Sequence, residues 1–241
     1  MISLIGNVNI FPVSIDGRPF PGTSTRIREV FWAWRHKHEL VRYSISALLR
    51  IKIDDKYLLV KNRHWGKYQP VGGVLKRFPH SEHTLCKLGI RDDNMFSQDE
   101  INRGDLRIQL PASNITKFLD WYASGIGREL EPWREFYEEL VRPGLLQSAT
   151  FPFVQSQHIR RHNTGIYRAP HLNNGARYEC RIAEIFELLP NEGQKKALVA
   201  LSQQKDDRIL WATAEQIDTL GVIPKVQPEA NITDTAQWIL Q

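Results

Sequence analysis

An α+β sandwich, with a curved mixed sheet held between helices, is the fold this sequence predicts. Three observations carry that expectation. Tyr43–Leu49 and Tyr57–Val60 read as β-branched and aromatic strands on either side of the turn signal Asp54-Asp55. A second set of strand patterns follows much later, at Val154–Arg161, Ile166–Ala169 and Arg177–Phe186. Between the sets, Trp133, Phe136, Tyr137, Leu140 and Val141 recur at i, i+3, i+4, i+7 and i+8, the apolar stripe of a helix that packs on a core.

The remaining segments take their places around this frame. Residues 1–22 are punctuated by Asp16-Gly17, Pro19 and Pro21-Gly22, which predicts a turn-rich lead-in or an added hairpin. Thr23 or Ser24 is suited to cap a helix with Ile27, Val30, Phe31 and Trp34 on one side, and these aromatics are expected to pack on the domain. Leu106–Leu110 alternates as a strand, and Ser113 is a candidate cap for a helix running through Trp121 to Gly125. Pro132 suits the first turn of the Trp133 helix, where its missing N–H costs nothing, and Pro143-Gly144 ends that helix. Pro190-Asn191 starts a mixed helical or extended stretch over Leu188–Ser202. Ile209–Ala212 feeds a capped helix beginning at Thr213. The expected organisation is therefore a lead-in and helix over 1–41, a domain over 42–222, and a tail over 223–241 whose Trp238-Ile239-Leu240 is suited to docking.

Composition sets bounds on function. The chain has 241 residues, 41% of them hydrophobic and 24% charged, enough for one elaborated domain with a sizeable core. The net charge of +5 conceals an asymmetry: residues 1–80 hold fourteen Lys and Arg against five Asp and Glu, or +9, and the rest is −4. A basic first third favours an anionic ligand of nucleotide type, while +5 overall does not support nucleic-acid binding. Two cysteines, Cys86 and Cys180, are too few for a disulfide framework. No apolar run approaches a membrane span, and Met1–Ile10 lacks the pattern of a cleavable signal, so the expectation is a cytoplasmic protein.

The polar side of the Trp133 helix carries the chemistry. Glu135, Glu138 and Glu139 crowd three carboxylates within one turn beside Arg134 and Arg142. Such a cluster is destabilising unless arginines or a hard cation sit among the oxygens. A solvated face, laced by Glu138 and Glu139 to Arg142, is the simpler alternative. Upstream, Trp65-Gly66-Lys67-Tyr68-Gln69-Pro70-Val71-Gly72-Gly73 gives a glycine turn after the first strands. A strand pair, a Pro-x-Gly-Gly turn and the run Arg134-Glu135-Phe136-Tyr137-Glu138-Glu139 together resemble the Nudix hydrolase superfamily, whose signature helix reads Arg-Glu-apolar-x-Glu-Glu-x-Gly. Trp211, Thr213, Glu215 and Ile217 are similar to the ending of many such domains.

The match has departures. Val141 stands where the family has a glycine, and Ile126 where it has a glutamate upstream of the arginine. Gly73 precedes Arg134 by 61 positions instead of fourteen, so about 74–131 is a large insertion between the glycine turn and the signature helix. Emerging at that point, the insertion is suited to be a lid or a partner surface. The layout is most similar to the SMODS-associated Nudix-like domains, found beside cyclic-oligonucleotide synthases in bacterial antiphage loci.

The resemblance implies a Nudix-like α/β/α sandwich and a metal-dependent hydrolase of a nucleoside diphosphate-linked or related nucleotide, serving antiphage defence. Glu135, Glu138 and Glu139 would hold Mg²⁺ or Mn²⁺, with a backbone carbonyl of the Gly72-Gly73 turn, assigned to Gly73, completing the shell. Arg134 would orient a glutamate, and a metal-bound water would attack the diphosphate. Gly72, Gly73 and, leaving the second strand, Arg63 are the candidate substrate contacts. A partner from the synthase locus and a homodimer are further expectations. The alternative is a sensor or effector that keeps the fold and binds a nucleotide with little turnover, favoured by Val141, Ile126 and the insertion. Two further constellations are rejected. His80, His83 and Cys86 lack a fourth ligand for zinc, and His158 with His162 lies on a strand, about 13 Å apart at the strand's rise per residue.

Overall fold

β1 (Leu40–Arg50) runs through the middle of the molecule, and the other strands are placed by what its two edges accept. The computed structural model describes residues 23–63, 65–93, 103–172, 175–222 and 230–240, with side chains from Ile27 onward. The expected lead-in over 1–22 and the segment 223–229 lie outside the described residues. β9 (Tyr178–Leu189) pairs with β1 in parallel along nearly all of it, Val41 facing Tyr178 and Arg50 facing Glu187. β6 (Arg107–Pro111) pairs antiparallel with residues 40–44, and β4 (Tyr68–Val74) pairs antiparallel with residues 46–49. Where they diverge, Ile45 N–H donates to Leu106 O, Leu106 N–H to Leu75 O and Leu75 N–H to Ile45 O, so no backbone group at the junction is left dry.

The sheet extends outward from there. β2 (Lys52–Ile53) and β3 (Lys56–Lys61) form a hairpin across Asp54-Asp55, with Asp54 in the left-handed region at φ 53°. β3 pairs with β4 and with β10 (Ile209–Thr213). β5 (Arg91–Asp92) extends β6, while β7 (Gln155–Asn163) and β8 (Tyr167–Arg168) cover β9. The sheet is mixed and curved, as expected for an α+β sandwich.

Alternation along β1 separates two cores. Val41, Tyr43, Ile45 and Leu49 point to α3 (Ile115–Ser124), with Phe118 and Tyr122, and to Phe136 and Leu140 of the acidic helix, all fully buried. Leu48 points the other way, with Leu59, Ile185 and Ile217, onto α6 (Ala214–Asp218) and a 3₁₀ segment at Asp234–Ile239. Ile232, Ala236 and Ile239 are buried there, so the tail docks. Helices therefore lie on both faces, completing the sandwich.

Several helix expectations need correction or refinement. α1 (Thr23–Arg35) does not lay Ile27, Val30, Phe31 and Trp34 on the domain: Trp34 is 74% and Phe31 64% exposed. It buries the adjacent face, where Glu29 accepts from Asn163 and Trp32 stacks on His36 and meets Tyr178 edge-on. Ser113 is not a cap; it lies in a 3₁₀ turn over Ala112–Asn114 that leads into α3, which ends on Gly125 at φ 70°. Among the described residues, the insertion, which includes α2 (Glu82–Lys87), is built into the domain. It supplies β6 to the central strand and α3 to the core. The ambiguous stretch after Leu188 is α5 (Glu192–Ser202), started by a capping box in which Asn191 accepts from Gln194 N–H and the Gln194 side chain accepts from Asn191 N–H.

Candidate functional site

The acidic helix is two structures in succession. α4 (Trp133–Phe136) is a short α-helical turn, and Tyr137–Val141 is π-helical, with Arg142 N–H donating to Tyr137 O at 2.7 Å. The extra residue in that turn lets Leu140 and Val141 both enter the core after Phe136, while Tyr137 is turned out, 44% exposed. The expected apolar stripe thus loses Tyr137. Val141, standing where the family pattern has glycine, is a core residue.

The polar side of this helix lies against β4. β3 stops pairing with β4 at Pro70, so the Gly72 N–H is available to Glu139 Oε2, to which it donates at 2.9 Å. Glycine is required at 72 because φ is 134° and a Cβ would stand 2.9 Å from Leu48 Cα. Gly73 is required for a different reason. A Cβ there would meet the Glu135 carboxyl, 2.6 Å from its Cδ, so the side chain of Glu135 lies directly on bare main chain.

Arg134 ties the cluster together. Its guanidinium pairs with Glu129 at 2.8 Å, with Glu135 at 2.8 Å and with Glu138 at 3.3 Å, and donates to Val74 O at 3.0 Å. Glu129 also accepts from the Lys76 N–H at 2.9 Å, fixing the end of the insertion to the end of β4. The glutamate expected near position 126 is absent from the motif, and Ile126 itself is 70% exposed, but Glu129 five residues before Arg134 makes the ion pair. Glu138 turns to Arg134 with its side chain 38% exposed, while Glu135 and Glu139 lie on β4, unlike a solvated face laced to Arg142.

Electrostatics record the crowding. Burial, then the charge of Glu135, push Glu139 well above the usual carboxylate range against hydrogen bonds from Gly72 and Gln69. Burial also raises Glu135, with Arg134 opposing and Glu138 adding to the rise. Burial disfavours the Arg134 charge, but Glu129, Glu135 and Glu138 outweigh it and hold the guanidinium protonated. Glu135 and Glu139 therefore form an acidic pair that Arg134 does not fully neutralise, with hard oxygen donors of the kind Mg²⁺ or Mn²⁺ takes. Among the described residues, no three His, Cys, Asp or Glu side chains are already gathered in metal-ligand geometry. The fit to a cation rests on the donor type and on the cradle at Gly73.

Next to the glycine turn is a cavity of about 200 Å³, whose lining includes Ser44, Ser46, Gln69, Gly72, Arg181 and Trp238. Gln69 reaches both the cavity and Glu139, and its Oε1 accepts from Asn62 Nδ2 at 2.9 Å. Arg63 is exposed on the β3–β4 connection, and Asn62 beside it lines the cavity instead. Sequence reasoning overlooked Glu129 and Gln69. The first could be sought as an acidic residue within a turn or two of Arg134, while the second has no local signature.

His158 and His162 lie on β7 and diverge, His158 to Glu184 at 2.7 Å and His162 onto the Trp238 ring, so they share no site. Cys86 is exposed on the short α2 helix. Among the described residues, no helix is long and apolar enough to cross a membrane.

No curated protein matches the chain. Among solved structures, the chain is similar to the C. elegans Ap4A hydrolase at 10% identity, covering 76% of this chain and 85% of that one, with a TM-score of 0.27. The model of the SMODS-associated NUDIX domain matches residues 40–240, from the first residue of β1 to the docked tail. With that span including both the Gly72-Gly73 strand and the Arg134 helix, the chain belongs to the SMODS-associated NUDIX domain family.

Proposed function

We propose that the chain is a metal-dependent hydrolase of a nucleoside diphosphate-linked or related nucleotide, acting in bacterial antiphage defence. The observation that carries this reading is the seat of the acidic turn on bare main chain: Gly72 N–H on Glu139, Gly73 under Glu135, and Arg134 between Glu129, Glu135 and Glu138. Glu135 and Glu139 would hold a divalent cation, with Glu138 at the side and the Gly73 carbonyl as a main-chain donor. When bound, that cation supplies charge neutralisation to phosphoryl oxygens and an acidified water. The chain's own residues do the rest. Arg134 keeps the helix turned toward β4, Glu129 keeps Arg134 in place, and the Gly72 N–H and Gln69 hold Glu139 in one orientation. Family membership supports a nucleotide-derived ligand; the reading further places the protein in the cytoplasm, as a homodimer, with a partner from a cyclic-oligonucleotide synthase locus.

The test is turnover of a panel of nucleoside diphosphate derivatives with Mg²⁺ or Mn²⁺. Replacing Glu139 by Gln is expected to lower the rate on the order of a hundredfold or more, with the fold preserved by circular dichroism. An undiminished rate would contradict the assignment. A sensor with little turnover is the second reading, and the observation favouring it is Val141, whose burial commits the family's glycine position, two residues after the Glu pair, to packing. Nucleotide-induced thermal stabilisation without product would select that reading.

A further inference from the structure

On the face of the sheet that carries Leu48, Ser44 sits in register with Arg107 of β6 on one side and Arg181 of β9 on the other. Two arginines flanking one serine across three adjacent strands stand about 10 Å apart at Cα, a spacing that lets one anion meet both guanidinium groups. Arg107 pairs with Asp105 and Arg181 with Asp234, each at 3.2 Å. The Asp234 side chain is 66% exposed, so that pair is solvent-screened and weak. Arg107, Arg181, Ser44 and Ser46 all line the cavity beside Gly72 and Gly73, and no carboxylate does. Its far wall is Trp238, fixed in place by His162 stacked at 4.4 Å, by Arg181 over the ring at 4.6 Å, and by a hydrogen bond from Arg160 to its carbonyl.

We infer that Arg107 and Arg181 form a phosphate subsite on this serine floor, walled by the C-terminal segment. Resting on the hydrolase reading above, it gives the substrate class: a nucleotide derivative bearing a phosphate in addition to the linkage held at the carboxylates. Guanidinium groups match phosphate oxygens with paired donors, and Ser44 and Ser46 add hydroxyls. The insertion contributes Arg107 and the tail contributes Trp238, so the segments that depart most from a minimal domain build this subsite. A cavity of about 200 Å³ suits a phosphorylated sugar-sized group, since a water's share of liquid is about 30 Å³.

The experiment is calorimetric titration of the full chain with pyrophosphate in EDTA, which removes any contribution from a cation. Saturable binding is expected, weakened about tenfold or more in Arg107→Gln/Arg181→Gln, as loss of charge-assisted hydrogen bonds requires. Arg107→Lys and Arg181→Lys, which keep the charge, are expected to fall between and serve if the double variant fails to fold. Asp234→Asn releases Arg181 and is expected to tighten binding about two- to threefold; weakening there to the level of Arg181→Gln would mark a merely structural role and overturn the subsite. Absent wild-type binding, or binding indifferent to both arginines, would also overturn it. Glu138→Gln separates the two readings: it is expected to bind pyrophosphate as the wild type does while losing metal-dependent turnover. Absence of metal-dependent turnover in the wild type, with arginine-dependent pyrophosphate binding intact, removes the hydrolase reading and leaves the subsite standing, whereas pyrophosphate binding that ignores the arginines removes the subsite alone.

Discussion

Gly73 is where sequence and chemistry meet most closely, because the space its missing side chain leaves is filled by the Glu135 carboxyl. Gly73→Ala is therefore expected to push Glu135 off β4, cost about 1–3 kcal/mol of stability and lower turnover about a hundredfold. Denaturant unfolding and steady-state rates check both figures. Asp105 gives a pH prediction at the same scale. Burial lifts its carboxyl to about 6, against the pull of Arg107, Lys76 and Arg134. The folded chain then holds a proton that the unfolded chain has released between about pH 4 and 6. Ionising the group on the way up that window lowers stability, and Asp105→Asn is expected to lose less stability than the wild type from pH 4.5 to pH 7 in urea unfolding. Parallel curves would contradict the sign. The acidic residues and glycines were legible singly, since each has a local signature. Glu129 was not, because its pairing with Arg134 depends on the path taken by Gly125–Pro132, which no periodicity specifies.

Among the elements, the strands were the most legible, because each couples alternation to a turn signal: β1, β3, β6, β7 and β9 all lie where their patterns place them. Helix faces were less so. The stripe of α1 is as apolar as any, yet the buried side is the one with Glu29, Trp32 and Ala33, because Asn163 and Tyr178 offer partners to a polar and an aromatic side chain. The π-helical turn at Tyr137–Val141 likewise follows from packing two consecutive residues, Leu140 and Val141, into one core. A lid can be shortened without unfolding the domain, but the insertion supplies β6 to the central strand and Phe118 and Tyr122 to the core. Replacing residues 76–128 by a short linker is expected to abolish the cooperative thermal transition. A sharp transition near the wild-type midpoint would show that β6 and α3 are dispensable.

At the scale of the whole molecule, a mixed sheet bearing helices on both faces puts two differently charged regions on either side of one glycine strand. Glu135, Glu138 and Glu139 gather on the helix side, while Arg107 and Arg181 look onto the serines of the opposite face. The basic first third of the sequence foretold an anionic ligand in outline only, since neither Arg107 nor Arg181 belongs to it. Long-range register, set by β6 and β9 on the two sides of β1, assembles that pair. The proposed function stands on a cation gripped by the acidic turn against Gly72 and Gly73. Its most direct test is titration of the full chain with Mn²⁺, followed by electron paramagnetic resonance, in the wild type and in Glu135→Gln/Glu139→Gln. Saturable binding in the wild type that weakens about tenfold or more in the double variant is the predicted result. Equal Mn²⁺ affinity in the two proteins, or no binding to either, would contradict it.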